Sequence, residues 1–162
     1  MQWHGPVLEI GSININGSAR DLWGNLQPYH GVDIVPGPGV DYVLDIRDIE
    51  NPAESVLSAP YRTILCTEVL EHVDPATLVP AMLRFCHGRS QVLITCAGPT
   101  RQTHSADGAP ELKPGEYYKN VDPDALRALL IATPPGLKVL TCVVMVSADR
   151  GDVYAHAEYQ RM

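Results

Sequence analysis

Three carboxylates stand where short apolar runs give way to turn residues: Glu9 in VLEIGS, Asp33 in GVDIV and Asp45 in YVLDI. An acid just before a glycine turn attracts a cation or an amino group and repels phosphate. A carboxylate ending a second strand can accept hydrogen bonds from both hydroxyls of a ribose, each worth roughly 1.5–3 kcal/mol because the acceptor is ionised. Asp45 adds an acceptor suited to an adenine amino group, so the set points to an adenosine-type ligand without a 2′-phosphate. Singly, each of these acids also fits a solvated turn or a helix cap. A further constellation, EVLEHV, brings Glu68, Glu71 and His72 together after another apolar run, and THSADGAPELKPGEYYKN adds His104, Asp107, Tyr117 and Tyr118. His72 and His104 are the candidate catalytic bases. Asp107, three residues on, could orient His104 and raise its basicity, and the tyrosines could wall a small acceptor, although loops also carry such histidines for their polarity and tyrosines for plain packing.

These residues need strands to carry them. The chain of 162 residues is long enough for one domain, 1–162, with a core independent of disulfides or metals. Apolar runs alternating with helical patterns predict an α/β fold: a doubly wound, mostly parallel Rossmann-like sheet ending in an antiparallel hairpin. Strands are expected at Pro6–Ile10, Tyr29–Val35, Tyr42–Ile46, Tyr61–Val69 and Gln91–Ala97, with the hairpin in LKVLTCVVMV and DVYAHAEYQ. A short helix is expected from Ser18, with Leu22, Trp23 and Leu26 at helical spacing, and a helical turn at Asn51–Leu57. Asp74-Pro75 caps a helix to about Phe85, in which Pro80 implies a bend or a late start, and Asp122-Pro123 caps a helix through Leu130. The stretch Gly98–Asn120 has no regular pattern, and loops of that length in compact domains are usually functional or disordered.

Composition removes several classes. A formal charge of −7 argues against nucleic acid as partner. Neither end carries a targeting or membrane-spanning pattern, so a cytoplasmic location without membrane association is expected. Cys66, Cys86, Cys96 and Cys142 form no CxxC pair, which disfavours a disulfide framework or zinc knuckle. No metal is expected either, because His72, His104 and Asp107 follow no ligand spacing of a helix or loop. A nicotinamide site requires G-x-G-x-x-G, and GSININGS has Ile13 at the second glycine. Open sheet edges and a thin cover over the crevice are compatible with a homodimer.

VLEIGS…NGS, GVDIVPGPGVDYVLDI and ILCTEVLEHV together resemble the first, second and fourth strand motifs of class I S-adenosylmethionine-dependent methyltransferases, nearest to the group with EVLEH after the fourth strand. The resemblance covers about Val7 to Val73. It implies that Glu9 and Gly11 flank the methionine and ribose moieties, with Ser12 and Asn16 in the adjoining turn. It also implies that Asp33 holds the ribose beside Ile34, that Asp45 and Ile46 bound the adenine, and that Thr67 and Glu68 lie beneath the sulfonium. The glycine-rich turn of the family is reduced here to EIGSINI, with Asn14, Asn16 and Gly17 replacing it. The absence of the N/D-P-P-Y/F/W motif, and of a proline before Cys66, turns the expectation from nucleobases toward a small-molecule acceptor or a tail on a partner protein. Two functions follow as expectations: methyl transfer from S-adenosylmethionine, or a non-catalytic module that holds S-adenosylmethionine or S-adenosylhomocysteine.

Overall fold

The computed structural model describes residues 3–162. Its strands are β1 (Val7–Ile10), β2 (Tyr29–Asp33), β3 (Tyr42–Val43), β4 (Thr63–Thr67), β5 (Arg89–Ala97), β6 (Leu137–Val146) and β7 (Asp152–Arg161). They form one seven-stranded sheet in the order β3-β2-β1-β4-β5-β7-β6. Neighbours from β3 through β5 are parallel, and β7 inserts between β5 and β6, antiparallel to both. This is the mostly parallel Rossmann-like sheet with a C-terminal antiparallel pair that the sequence predicts. The chain winds outward from β1 to β3 and then returns to β4 on the other side of β1. That reversal opens a crevice at the carboxyl ends of β1 and β4, where such sheets take their ligands.

Helices α2 (Pro75–Leu83) and α3 (Pro123–Ile131) begin as expected, at prolines preceded by aspartates. Asp74 accepts from the Ala76 amide at 3.0 Å and Asp122 from that of Ala125 at 2.8 Å, satisfying helix donors that have no intrahelical partner. The helix runs through Pro80 from Pro75, so a late start is not what accommodates that proline. Both helices pack on one face of the sheet. Leu78, Met82, Leu126 and Leu130 meet Leu8, Ile64, Val92, Ile94 and Tyr159 in the main core, and Tyr159 donates its hydroxyl to the Leu130 carbonyl at 2.9 Å. Asn51–Leu57 supplies only a 3-10 turn, Pro52–Glu54.

The opposite face is covered more thinly. Val7, Tyr29 and Leu65 pack against Ala19, Trp23 and Leu26. The helix expected from Ser18 contracts to the single turn α1 (Arg20–Trp23), and its supposed apolar stripe breaks at Leu22, which is 73% exposed. Further along this face Val143, Met145 and Tyr154 of the hairpin are exposed, and among the described residues no helix lies over them. Among the described residues no helix is long and apolar enough to cross a membrane.

Candidate functional site

The carboxyl ends of β1, β2 and β4 open into a cavity of about 1160 Å³. Glu9, Gly11, Ser12, Asn16, Asp33, Ile34, Asp45, Ile46, Thr67, Glu68, His72 and His104 all line it. The fold therefore brings the strand-end acids, the turn after β1 and both candidate bases to one hollow. The register explains the convergence, because Ile10 pairs with Val32 on one side and Cys66 on the other, so the three strands end level. Gly11 makes the turn out of β1 with φ +73°, and a Cβ there would lie 2.2 Å from Val69 Cγ2. Only glycine fits that conformation and that approach. The far wall is the irregular 98–120 segment, which folds back until Gly108 lies against Asn16. Its length is thus spent on enclosing the cavity.

Each acid is held differently. Glu9 is 2% exposed and accepts the Tyr29 hydroxyl at 2.8 Å. Burial pushes its carboxyl above the usual range, opposed by the Tyr29 hydrogen bond and by Arg20, whose guanidinium sits 4.4 Å over the Tyr29 ring. Asp33 uses each oxygen once, accepting from the Val35 amide at 3.1 Å and the Ile13 amide at 3.3 Å. It thereby ties the turn after β1 to the end of β2 and keeps acceptor capacity toward the cavity, since a carboxylate offers about four lone-pair sites. Ile34 beside it is 67% exposed. Asp45 is different: it caps the 3-10 turn Ile46–Asp48 through the Arg47 amide, and the Arg47 guanidinium takes both its oxygens. The carboxylate expected to meet an adenine amine is therefore already filled. Ile46 is 2% exposed and belongs to the core, presenting only an edge to the cavity.

The residues after β4 form a compact cluster with the long segment. Glu68 has φ +56°, a left-handed conformation unusual for a side chain of its kind, and its Oε1 accepts from Thr95 Oγ1 at 2.8 Å. The turn carries Glu71 inward to full burial, where neither carboxylate oxygen has a hydrogen-bond partner among the described residues. Burial pushes its carboxyl up to about 7, with the neighbouring Glu68 adding to the rise and the nearby Glu71 and Ala97 amides opposing it. His72, His104 and Tyr118 pack edge to face, with ring centroids 5.1–5.3 Å apart. His72 is held below the ordinary imidazole range by burial and by the facing His104.

No family model and no curated protein matches the sequence. Solved structures do match. An N1-methyltransferase of Burkholderia thailandensis, with bound 1,6-didemethyltoxoflavin and S-adenosylhomocysteine, is 11% identical, with a TM-score of 0.61 over 98% of this chain and 72% of its own. The N-methyltransferase NodS of Bradyrhizobium japonicum is 14% identical, with a TM-score of 0.59 over 95% and 85%. Magnesium protoporphyrin IX methyltransferase of Synechocystis, with bound S-adenosylmethionine, is 14% identical, with a TM-score of 0.55 over 96% and 69%. The chain has the class I methyltransferase fold.

Within that fold, two expected arrangements are replaced. Asp107 does not orient His104: its short side chain is captured by the Ala109 amide at 3.1 Å and by Lys113, and His104 faces Glu71 instead. Tyr117 and Tyr118 do not line the cavity; Tyr118 stacks behind the histidines and Tyr117 is 43% exposed. The sequence also gave no signal for Arg101, Asp152 and Tyr154, which line the cavity opposite β1. Asp152 begins β7 and, because β7 is antiparallel, pairs with Ala97 at the end of β5. There it is 5% exposed and bonds Arg101 at 2.7 Å. Only the strand order brings an acid near the C-terminus to this end of the sheet.

Proposed function

We propose that the chain binds S-adenosylmethionine in this cavity and transfers its methyl group to a small-molecule acceptor. The observation that carries the reading is that Glu9 and Asp33, at the tips of adjacent parallel strands, line the same large hollow at the point where strand order reverses. The residues suit the group. Asp33 keeps acceptor capacity for ribose hydroxyls, exposed Ile34 offers an apolar surface for the base, and buried Glu9 supplies negative charge for the amino group. Ser12 adds a buried hydroxyl on the cavity wall that has no partner among the described residues. A buried polar group normally finds a partner, so an unpaired one on a cavity wall points to a ligand. The structures described above that hold S-adenosylmethionine or S-adenosylhomocysteine share the fold, which supports the same choice of ligand here.

When bound, S-adenosylmethionine supplies an electrophilic methyl on a cationic sulfur. The chain's own contribution is then to place the acceptor in line and exclude water. His72 and His104 stand on the wall where an acceptor losing a proton would meet a base.

A non-catalytic module that holds the cofactor or its demethylated product is the second reading. The feature in its favour is α1, a single turn whose N-cap, Ala19, makes no side-chain cap bond, so the turn after β1 lacks a full helix behind it. Calorimetry with S-adenosylmethionine and S-adenosylhomocysteine, followed by a methyl-transfer screen on a metabolite extract, separates the two. Binding of neither compound refutes both. Binding with product supports the enzyme, and binding without product supports the module.

A further inference from the structure

The cluster of Glu71, His72 and His104 is unusual in what it lacks. One ligand atom from each lies within 4.8 Å of the others. Glu71 is completely buried, yet both of its oxygens are unpartnered, and Nδ1 of His72 is buried and unpartnered beside it. A buried carboxylate left without partners costs of order 1–3 kcal/mol or more, so such a group implies something that completes it.

The orientation of His104 identifies what that is. Its Nδ1 lies 3.1 Å from the Gln102 carbonyl, an acceptor only, so Nδ1 carries the proton. The other ring nitrogen, Nε2, then turns a lone pair toward Glu71 Oε1 at 3.9 Å. That separation is too long for a hydrogen bond, and when Glu71 is ionised and the ring neutral two acceptors face each other. A cation between them removes the conflict. Fixing one imidazole nitrogen on a carbonyl while the other points at a centre is also how metal-binding histidines are held. Ligand atoms 2.0–2.2 Å from a common ion lie about 3–4 Å apart, which the cluster reaches with small side-chain closures. Glu68 stands nearby and adds a second acid beside the first.

We propose that Glu71, His72 and His104 bind one divalent first-row transition-metal ion, and with the ion bound the two histidines act as ligands in place of bases. Two imidazole nitrogens and a carboxylate oxygen suit ions from Mn2+ to Zn2+ rather than Ca2+, which prefers oxygen alone. His72 and His104 line the cavity while Glu71 lies behind them, so the ion's remaining coordination positions face the space beside the proposed cofactor. The acceptor class follows: a molecule that ligates the ion through a hydroxyl or carbonyl oxygen. This last step rests on the proposed methyl transfer; ion binding itself does not.

The test strips the protein with EDTA and titrates Co2+, read by visible absorption, with Zn2+ competition by calorimetry. One Co2+ per chain is expected, displaced by Zn2+. Glu71→Gln and His104→Ala should each weaken binding by at least about 100-fold, the upper range seen when even an outer partner of a metal ligand is removed. His87→Ala, an exposed histidine outside the cluster, should bind as the parent does. Circular dichroism checks the fold of each variant. Should Glu71→Gln fail to fold, His104→Ala, on the irregular segment, decides alone. No binding by the parent protein, undiminished binding by His104→Ala, or loss in His87→Ala overturns the site. S-adenosylhomocysteine titrated into the same stripped protein keeps the two ideas apart. Nucleoside binding without Co2+ binding sinks only the metal site, and the reverse sinks only the proposed cofactor.

Discussion

If Asp33 holds the ribose, its removal has a calculable effect. Each oxygen of Asp33 already accepts one backbone amide, from Val35 at 3.1 Å and Ile13 at 3.3 Å, and each retains capacity for one hydroxyl. Two charge-assisted bonds at about 1.5–3 kcal/mol each set an upper range of about 3–6 kcal/mol. Water recovers part of this when the hydroxyls are left free, so the lower end, about 3 kcal/mol, is expected. At about 1.4 kcal/mol per tenfold, Asp33→Ala should weaken S-adenosylhomocysteine binding by about 100-fold. Asp33→Asn keeps an acceptor oxygen but turns a donor toward one hydroxyl, and should cost about tenfold, the value of losing one such bond. Calorimetry reads both. The alanine variant also loses the two loop bonds, so its urea midpoint must be measured and the titration run where it is folded. A 2′,3′-dideoxy analogue completes the cycle: against it, parent and Asp33→Ala should bind almost equally, because the interaction being removed is already absent. If Asp33→Ala binds S-adenosylhomocysteine within threefold of the parent, or loses equally against the dideoxy analogue, Asp33 shapes the turn and does not grip a ribose.

Three more outcomes follow from the geometry. Asp45→Asn should leave S-adenosylhomocysteine affinity within about threefold and lower stability by no more than about 1 kcal/mol, because Arg47 and the helix cap already occupy the carboxylate, asparagine still caps the turn, and only the partly exposed ion pair is lost; a tenfold loss in calorimetry would return Asp45 to the ligand. Gly11→Ala should lower unfolding free energy by about 2–4 kcal/mol, from about 1–2 for the left-handed conformation and the rest from collision with Val69, and adding Val69→Ala should recover the steric part in urea titration. Glu9→Gln should raise the melting temperature of the ligand-free protein at pH 7. Burial raises the Glu9 carboxyl in the folded state, so the native protein binds that proton more tightly than the unfolded chain does. Its contribution is therefore most favourable below the unfolded value near 4.5 and falls as pH rises through the folded one. Melting curves across that range should be flatter for Glu9→Gln, and an unchanged profile refutes the assignment.

What could be read from the sequence was set by how locally each feature is determined. β1 and β4 are buried almost throughout and short apolar runs announce them, as VLITCA announces β5, while β2 is signalled more weakly by YHGVD ahead of a proline-glycine turn. Glu9 and Asp33 were legible because strand ends in such a sheet must converge on the crevice, whatever fills the loops. Asp45 was misleading for a local reason: an aspartate after YVL reads equally as a strand-end acceptor or as a cap, and only Arg47 folding back upon it decides. The α1 segment failed because Leu22 fits a helical spacing but the layer beneath it is complete with Trp23 and Leu26, leaving Leu22 in solvent. The Glu71–His104 approach lay further beyond reach. It depends on the 98–120 segment returning across β4, which places Lys119's amide on the Glu71 carbonyl at 2.8 Å and Val121's amide on that of Ala97 at 2.8 Å. Those two backbone bonds anchor the segment's end beside EVLEH, and the histidine it carries arrives with it. Asp107 was the natural partner by spacing, but a turn within the segment and Lys113 satisfy it first. Glu71 is buried with no such turn to close, and among the described residues its oxygens accept no hydrogen bond. The chemistry of the site therefore follows from which acids can close a local turn: Asp45 and Asp107 do so, and Glu71 is left facing two imidazoles across a space of a few ångströms.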